Sequence, residues 1–203
     1  MHVIVGDNAV YGNVEGLVLG PGVPDTHVHE LVLGGGPIPG TAGTVYEVVS
    51  INVYASSPGA PAPAMDSCLY QDQIGSPTAI IANSPIGMPP VPIPNPAWLT
   101  WNYVAPRPVV TAGQPYWFGI AVWGPAFSQG NIYHNGAGVR RWSTISTGGG
   151  GCPDPWGLFV AGVPPRDYSA YIVIDVPPVF NAATDIRPVE KYHRLRGRRG
   201  GFR

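Results

Sequence analysis

The sequence predicts an all-β protein, an antiparallel sandwich, and three observations carry that prediction. No stretch of about twelve residues keeps apolar side chains at a helical 3.6-residue period without a Gly or Pro break. The 28 glycines and 25 prolines follow no collagen-like period. Between them lie short runs rich in Val, Ile, Tyr and Trp, several alternating apolar and polar residues, so the Gly and Pro read as turns between strands. With 203 residues, 44% of the chain apolar, there is material for one sandwich core plus terminal extensions.

The strands are expected in order at 14–19, 26–33, 45–55, 67–71, 78–82, 99–104, 116–123, 157–161 and 168–176. The 45–55 run is the clearest early one, with Val45, Glu47, Val49, Ile51 and Val53 forming one mostly apolar face. Met88–Pro96 carries five prolines and reads as an extended, polyproline-like surface loop. Gly148–Gly151 reads as a flexible loop. Tyr168–Val176 is the last expected core strand, because Pro177-Pro178 cannot donate to a β ladder. The chain then divides into N-terminal strands or an extension (1–40), the sandwich (41–177) and a C-terminal arm (178–203).

Charge is sparse, 11% of residues, which suggests that much of the surface lies against partners. It is also segregated. Seven basic residues and one acid lie between Arg187 and Arg203, a net +6, against −7 for the rest. Met1–Asp7 has neither the basic segment nor the long apolar segment of a signal peptide, and no apolar run suits a transmembrane helix. Cys68 and Cys152 either pair or remain as two buried thiols; both readings stand, and neither makes a metal motif.

The middle of the chain holds an ordered series: Cys68-Leu-Tyr-Gln-Asp-Gln, Gly75-Ser-Pro-Thr-Ala-Ile-Ile-Ala-Asn-Ser84, Trp98-Leu-Thr-Trp-Asn-Tyr and Val110-Thr-Ala-Gly-Gln-Pro-Tyr-Trp-Phe-Gly119. It resembles a jelly-roll accessory domain of bacteriophage structural proteins, also found in secreted bacterial proteins. In that pattern a strand ends in an acidic turn, a Gly-x-Pro hairpin follows, and then come a Trp-led strand and a Thr-Ala-Gly turn into an aromatic strand. The likeness spans about Val45–Val176 and implies a jelly-roll-like antiparallel β-sandwich with an extended C-terminal arm. Its motifs are structural residues and bring no catalytic residues with them.

Chemistry-bearing constellations are few. His27 and His29, with Asp25, share one strand face as candidate metal ligands, and His134 is an alternative third ligand. Two strand histidines at a contact or on the surface is the preferred reading, so no metal or other cofactor is expected. There is no Gly-x-Ser-x-Gly and no Cys–His pair in a nucleophile context. Most acids, among them Asp25, Asp66, Asp72, Asp154 and Asp167, fall in expected turns. The chain therefore reads as a non-enzyme. Trp142 and Trp156, in Gly-rich surroundings, are candidate sugar-stacking rings, whereas Trp117 and Trp123 are expected in the core.

The arm is the strongest single signal. Arg187, Lys191, Tyr192, Arg194, Arg196, Arg198, Arg199, Phe202 and Arg203 form a partner-binding segment complementary to an acidic protein surface. Its Arg-Gly-Arg-Arg-Gly-Gly stretch also suits nucleic acid, and a plain solubilising tail is the third reading. The leading functional expectation is a virion structural protein, a capsid decoration, head-fibre or tail-associated subunit. It would contact itself as a homo-oligomer and an acidic major capsid or tail protein, with no membrane insertion. The alternatives are a carbohydrate-binding module or adhesin, and a subunit of an extracellular filament or surface layer.

Overall fold

The computed structural model describes residues 2–19, 27–58, 61–88, 92–138, 142–148, 151–156, 162 and 164–175; for residues 18, 27–36, 88 and 142–148 it describes the backbone path. Every regular element among them is a strand: β1 (His2–Asp7), β2 (Asn13–Val18), β3 (His27–Pro37), β4 (Val45–Ser57), β5 (Ala64–Asp72), β6 (Pro77–Ile80), β7 (Ile86–Met88), β8 (Ile93–Asn102), β9 (Val109–Thr111), β10 (Pro115–Trp123), β11 (Gln129–His134), β12 (Trp142–Gly148) and β13 (Ala170–Asp175).

The strands form two antiparallel sheets that pack face to face. The first is centred on β4: β13 and β11 run end to end along one edge and β8 and β9 along the other, with β1 beyond β13 and β2 beyond β11. The second has the order β12-β3-β10-β5, with β6 and β7 sharing the far edge of β5. The chain crosses between the sheets at eight of its twelve strand connections. Taking end-to-end strands as one, the orders β1/β2–β13/β11–β4–β8/β9 and β3–β10–β5–β6/β7 are the two interlocked Greek keys of a jelly roll, with β12 added outside β3.

Between the sheets lies one continuous apolar core. Val48, Ile51, Val53, Trp101, Ile172 and Ile174 come from the first sheet, and Leu69, Tyr116, Phe118, Ile120 and Val122 from the second. The expected alternation along β10 holds: Tyr116 and Phe118 meet edge to face in the core, 5.2 Å between centroids, while Trp117 points to the opposite face. The turns also form as their residues require. Gly75 (φ +77°) closes the β5–β6 hairpin and Gly113 (φ +81°) the β9–β10 turn.

β4 departs from the sequence expectation in its first half. Its inward residues are Tyr46 and Val48, then Ile51, Val53 and Ala55; Val45 and Glu47 are exposed. The face switches because the pairing with β13 slips between Val48 and Ser50. Such an irregularity inserts one residue and re-aims everything beyond it. Beyond the slip the expected alternation holds, with Ile51 and Val53 inward and Ser50, Asn52, Tyr54 and Ser56 outward; before it, Tyr46 and Val48 take the inward side in place of Val45 and Glu47.

Other expectations change too. Within 1–40, read as N-terminal strands or an extension, the described residues form strands: β1 pairs with β13, β2 with β11 and β3 with β10, in both sheets. The proline-dense segment enters a strand at Ile93, and β8 carries Pro94 and Pro96. It tolerates them because it pairs only with β4, as an edge strand, across an irregular stretch between Ala55 and Ser57. β1, β7, β9, β11 and β12 are strands that the sequence reading did not separate. The expected strand at 157–161 and the arm from 178 onward lie outside the described residues.

The outer face of the second sheet is capped. Cys68 on β5 is disulfide-bonded to Cys152, which resolves the two readings of the cysteines in favour of pairing. The bridge holds the 151–156 segment over β5 and β6. There the Tyr70 hydroxyl donates to the Pro153 carbonyl (2.7 Å), the Ile80 amide to Asp154 (3.0 Å) and the Trp156 amide to the Thr78 carbonyl (3.0 Å). Under this cap Cys68, Tyr70, Trp117 and Trp156 form a second, small apolar cluster.

Candidate functional site

The outer face of the first sheet is not capped by any described segment, and it carries an ordered row of aromatic rings. Tyr171 on β13, Trp98 on β8, Tyr54 on β4 and Tyr133 on β11 all face away from the core. Successive ring centroids lie 5.1, 5.5 and 5.2 Å apart, each pair tilted or edge to face. All four rings are partly exposed. Alternation places them there: Leu99 and Trp101 point inward from β8, so Trp98 and Thr100 point out; Ile172 points inward from β13, so Tyr171 points out.

The row spans the sheet. Asn52 on β4 is the cross-strand partner of both Tyr171 and Thr100, so the Trp98–Tyr171 contact passes over it. This explains why Asn52, on an outward face, is only 4% exposed. A polar side chain buried in this way needs partners, and it has them: its amide donates to Ser50 Oγ (3.0 Å) and its carbonyl accepts from Thr100 Oγ1 (2.7 Å). A second network supports the other end of the row. Ser56 Oγ shares a hydrogen bond with the Tyr133 hydroxyl (3.1 Å), Asn131 donates to Ser56 (3.3 Å), and Gln129 donates to Asn131 (2.6 Å).

The adjoining outer strands are cut back beside the row. Gly6 on β1 pairs with Tyr171, and Gly16 on β2 pairs with Asn131. Gly6 sits at φ +126°, and a Cβ there would come within 2.7 Å of the Tyr171 Cα, so no side chain can stand at that position. Glu47 with Arg107 (3.4 Å) and the His2–Asp175 contact (3.9 Å) lie toward the β9 end of β4, and Glu15 on β2 pairs with Arg166. The aromatic row itself contains no charged side chain.

The residues singled out from sequence fall elsewhere. Trp156 is buried, 4% exposed, with its ring edge to face on Tyr70 at 5.6 Å, so it presents no ring for a sugar. The backbone of Trp142 opens β12, and its side chain lies outside the described residues, as do those of His27 and His29 on β3. The arm residues Arg187, Lys191, Tyr192, Arg194, Arg196, Arg198, Arg199, Phe202 and Arg203 also lie outside the described residues. Trp117 is buried as expected. Trp123 is only half-buried and donates its indole N–H to Asp66 (2.9 Å). Burial pushes the Asp66 carboxyl above the usual carboxylate range, and the Trp123 bond opposes that shift.

His134, the alternative third metal ligand, is likewise buried and fully engaged. Nδ1 accepts from the Gly136 amide (2.8 Å), the ring also hydrogen-bonds the Val14 backbone, and it packs against Tyr168. Both nitrogens are therefore in use as in a neutral imidazole. Burial and the nearby Arg166, itself paired with Glu15, hold its pKa below the ordinary value of 6.5. In the unfolded chain the same imidazole takes up a proton near 6.5. The stability it contributes is thus complete above that pH and is lost as pH falls toward the lowered folded value. Urea unfolding at pH 7, 6 and 5 is expected to show stability falling with pH, and His134→Gln is expected to flatten that slope; an unchanged slope would refute the assignment.

Among the described residues no three His, Cys, Asp or Glu side chains gather into a metal-holding group, and no helix is long and apolar enough to cross a membrane. Comparison with known proteins returned no matching family model, no matching curated protein and no matching solved structure.

Proposed function

We propose that this chain is a non-enzymatic structural protein of a virion, a capsid decoration, head-fibre or tail-associated subunit, that works by presenting the outer face of its first sheet. The observation that carries this reading is the asymmetry of the sandwich. One outer face is stapled shut by a disulfide-bonded cap, while the other displays four partly exposed aromatic rings on a hydrogen-bonded bed. Large, partly exposed aromatics are the residues that dominate binding surfaces.

Further support comes from the acids. Every carboxylate whose side chain is described has a structural partner. Asp7 accepts from Tyr11, Asp72 from Trp117, Asp154 from the Ile80 amide and Asp167 from Asn135; Asp66, Glu15, Glu47 and Asp175 have the partners given above. Carboxylates committed in this way explain themselves without catalysis. The Cys68–Cys152 bridge favours an oxidising location such as a virion or cell surface. The resemblance of the 68–119 motif series to phage structural domains points the same way, and the +6 arm offers a latch to an acidic neighbour.

The test compares the full chain with a chain ending at Pro178. The full chain is expected to self-associate or to sediment with particles at physiological salt, and the shortened chain to lose that association while still unfolding cooperatively. A full chain that stays monomeric and binds no particle would refute the structural role.

A further inference from the structure

We infer that the aromatic row on the first sheet is a binding site for a neutral glycan chain, an inference that rests on the reading of this face as the working surface. Three features select that chemistry. The first is the pairing of rings with hydroxyls and amides. A sugar presents an apolar C–H face flanked by hydroxyls, and it is held by an aromatic ring beneath and hydrogen-bonding groups at the edge. Trp98, Tyr54, Tyr133 and Tyr171 supply the rings; Thr100 and Gln129, at either side of the row, supply the edge.

The second feature is unspent hydrogen-bonding capacity. Among the described residues, the Trp98 indole N–H and the Tyr54 and Tyr171 hydroxyls make no hydrogen bond to protein, although Asn52 and Ser56 beside them are each held by two hydrogen bonds. The polar bed is thus fixed by internal bonds while the ring tips stay open. A preorganised site of this kind loses little side-chain freedom when it binds.

The third is charge and shape. The row holds no ionised group, which matches a neutral ligand and disfavours nucleic acid or an acidic peptide. Gly6 and Gly16 put no side chain beside Tyr171 and Asn131, so the face stays open on that flank to a chain of sugars lying along the rings.

The experiment titrates the full chain with neutral oligosaccharides of β-1,4-glucan, α-1,4-glucan, xylan and mannan, following tryptophan fluorescence and calorimetry. Saturable binding to at least one of them is expected, unchanged between about 0.05 and 0.5 M salt because no ion pair forms. Trp98→Ala is expected to weaken it by at least about tenfold. Tyr54→Phe, which keeps the ring and removes only the hydroxyl, is expected to weaken it a few-fold with unchanged unfolding, so the result stands even if Trp98→Ala folds poorly. Binding that vanishes in salt, or that survives both substitutions, overturns the inference by placing the ligand on the basic arm or elsewhere. If none of the four glycans binds but Trp98→Ala abolishes particle association, the face is a protein interface: the glycan inference falls and the reading of the face stands. If Trp98→Ala changes neither, both fall.

Discussion

Replacing both bridged cysteines, Cys68→Ala with Cys152→Ala, is expected to destabilise the fold by about 4 kcal/mol. The bridge closes a loop of 84 residues, and joining chain ends that far apart removes a large share of the unfolded chain's freedom. For a domain of this size that corresponds to a fall in melting temperature of roughly 10–15 °C. The loss has a local signature as well. Without the bridge the 151–156 cap is held only by its hydrogen bonds, so Trp156 and Trp117 are expected to become more exposed, with red-shifted fluorescence preceding global unfolding. Urea titration of oxidised, reduced and double-alanine proteins checks both points. A cost under about 1 kcal/mol would mean that the cap and β5 stay together without the covalent link.

Phe118→Ala is expected to cost about 3–5 kcal/mol, the range for emptying a large site in a packed core. Phe118 is fully buried between the sheets and packs edge to face on Tyr116, which is itself fixed by its hydroxyl donating to the Val5 carbonyl (3.3 Å). The cavity would thus open among side chains tied to both sheets and unable to collapse into it. Ile74→Ala is the control: Ile74 is 95% exposed in the β5–β6 turn, and its truncation should stay within about 0.5 kcal/mol. Chemical denaturation of the two variants beside the parent measures the contrast, and equal losses would mean that the core is not where these contacts place it.

The sandwich was legible because its longest strands announce themselves. β10 alternates aromatics around Gly119, β13 is a run of β-branched residues, and Gly75 and Gly113 mark turns that only a residue free to take positive φ closes cheaply. β11 was not legible, because Gln-Gly-Asn-Ile-Tyr-His offers a single large apolar side chain to the core, Ile132, and its outward side is a polar network. β1 was missed for a different reason. Its apolar residues pack against β13 and the core, partners that lie at the far end of the chain.

The aromatic row was hidden more deeply. Trp98 and Trp101 look equivalent in sequence, and only the pairing of β8 with β4 separates an outward ring from a buried one. Tyr54 was on the outward side of the expected β4 alternation, but its ring neighbours Trp98, Tyr171 and Tyr133 come from three other strands that only the sheet pairing brings together. Trp156 misled in the opposite direction. Its glycine-rich setting suggested exposure, but the disulfide and the Tyr70 hydroxyl pull that segment down onto the sheet.

The prolines of β8 have a consequence for life at high density. A sheet edge with a full row of N–H and C=O groups is a template on which another chain's strand can grow. β8 forms one border of the first sheet, and two of its ten residues, Pro94 and Pro96, have no N–H to offer. That edge is thereby a poor template for backbone-to-backbone growth of an amyloid-like ladder, whatever the concentration of the chain.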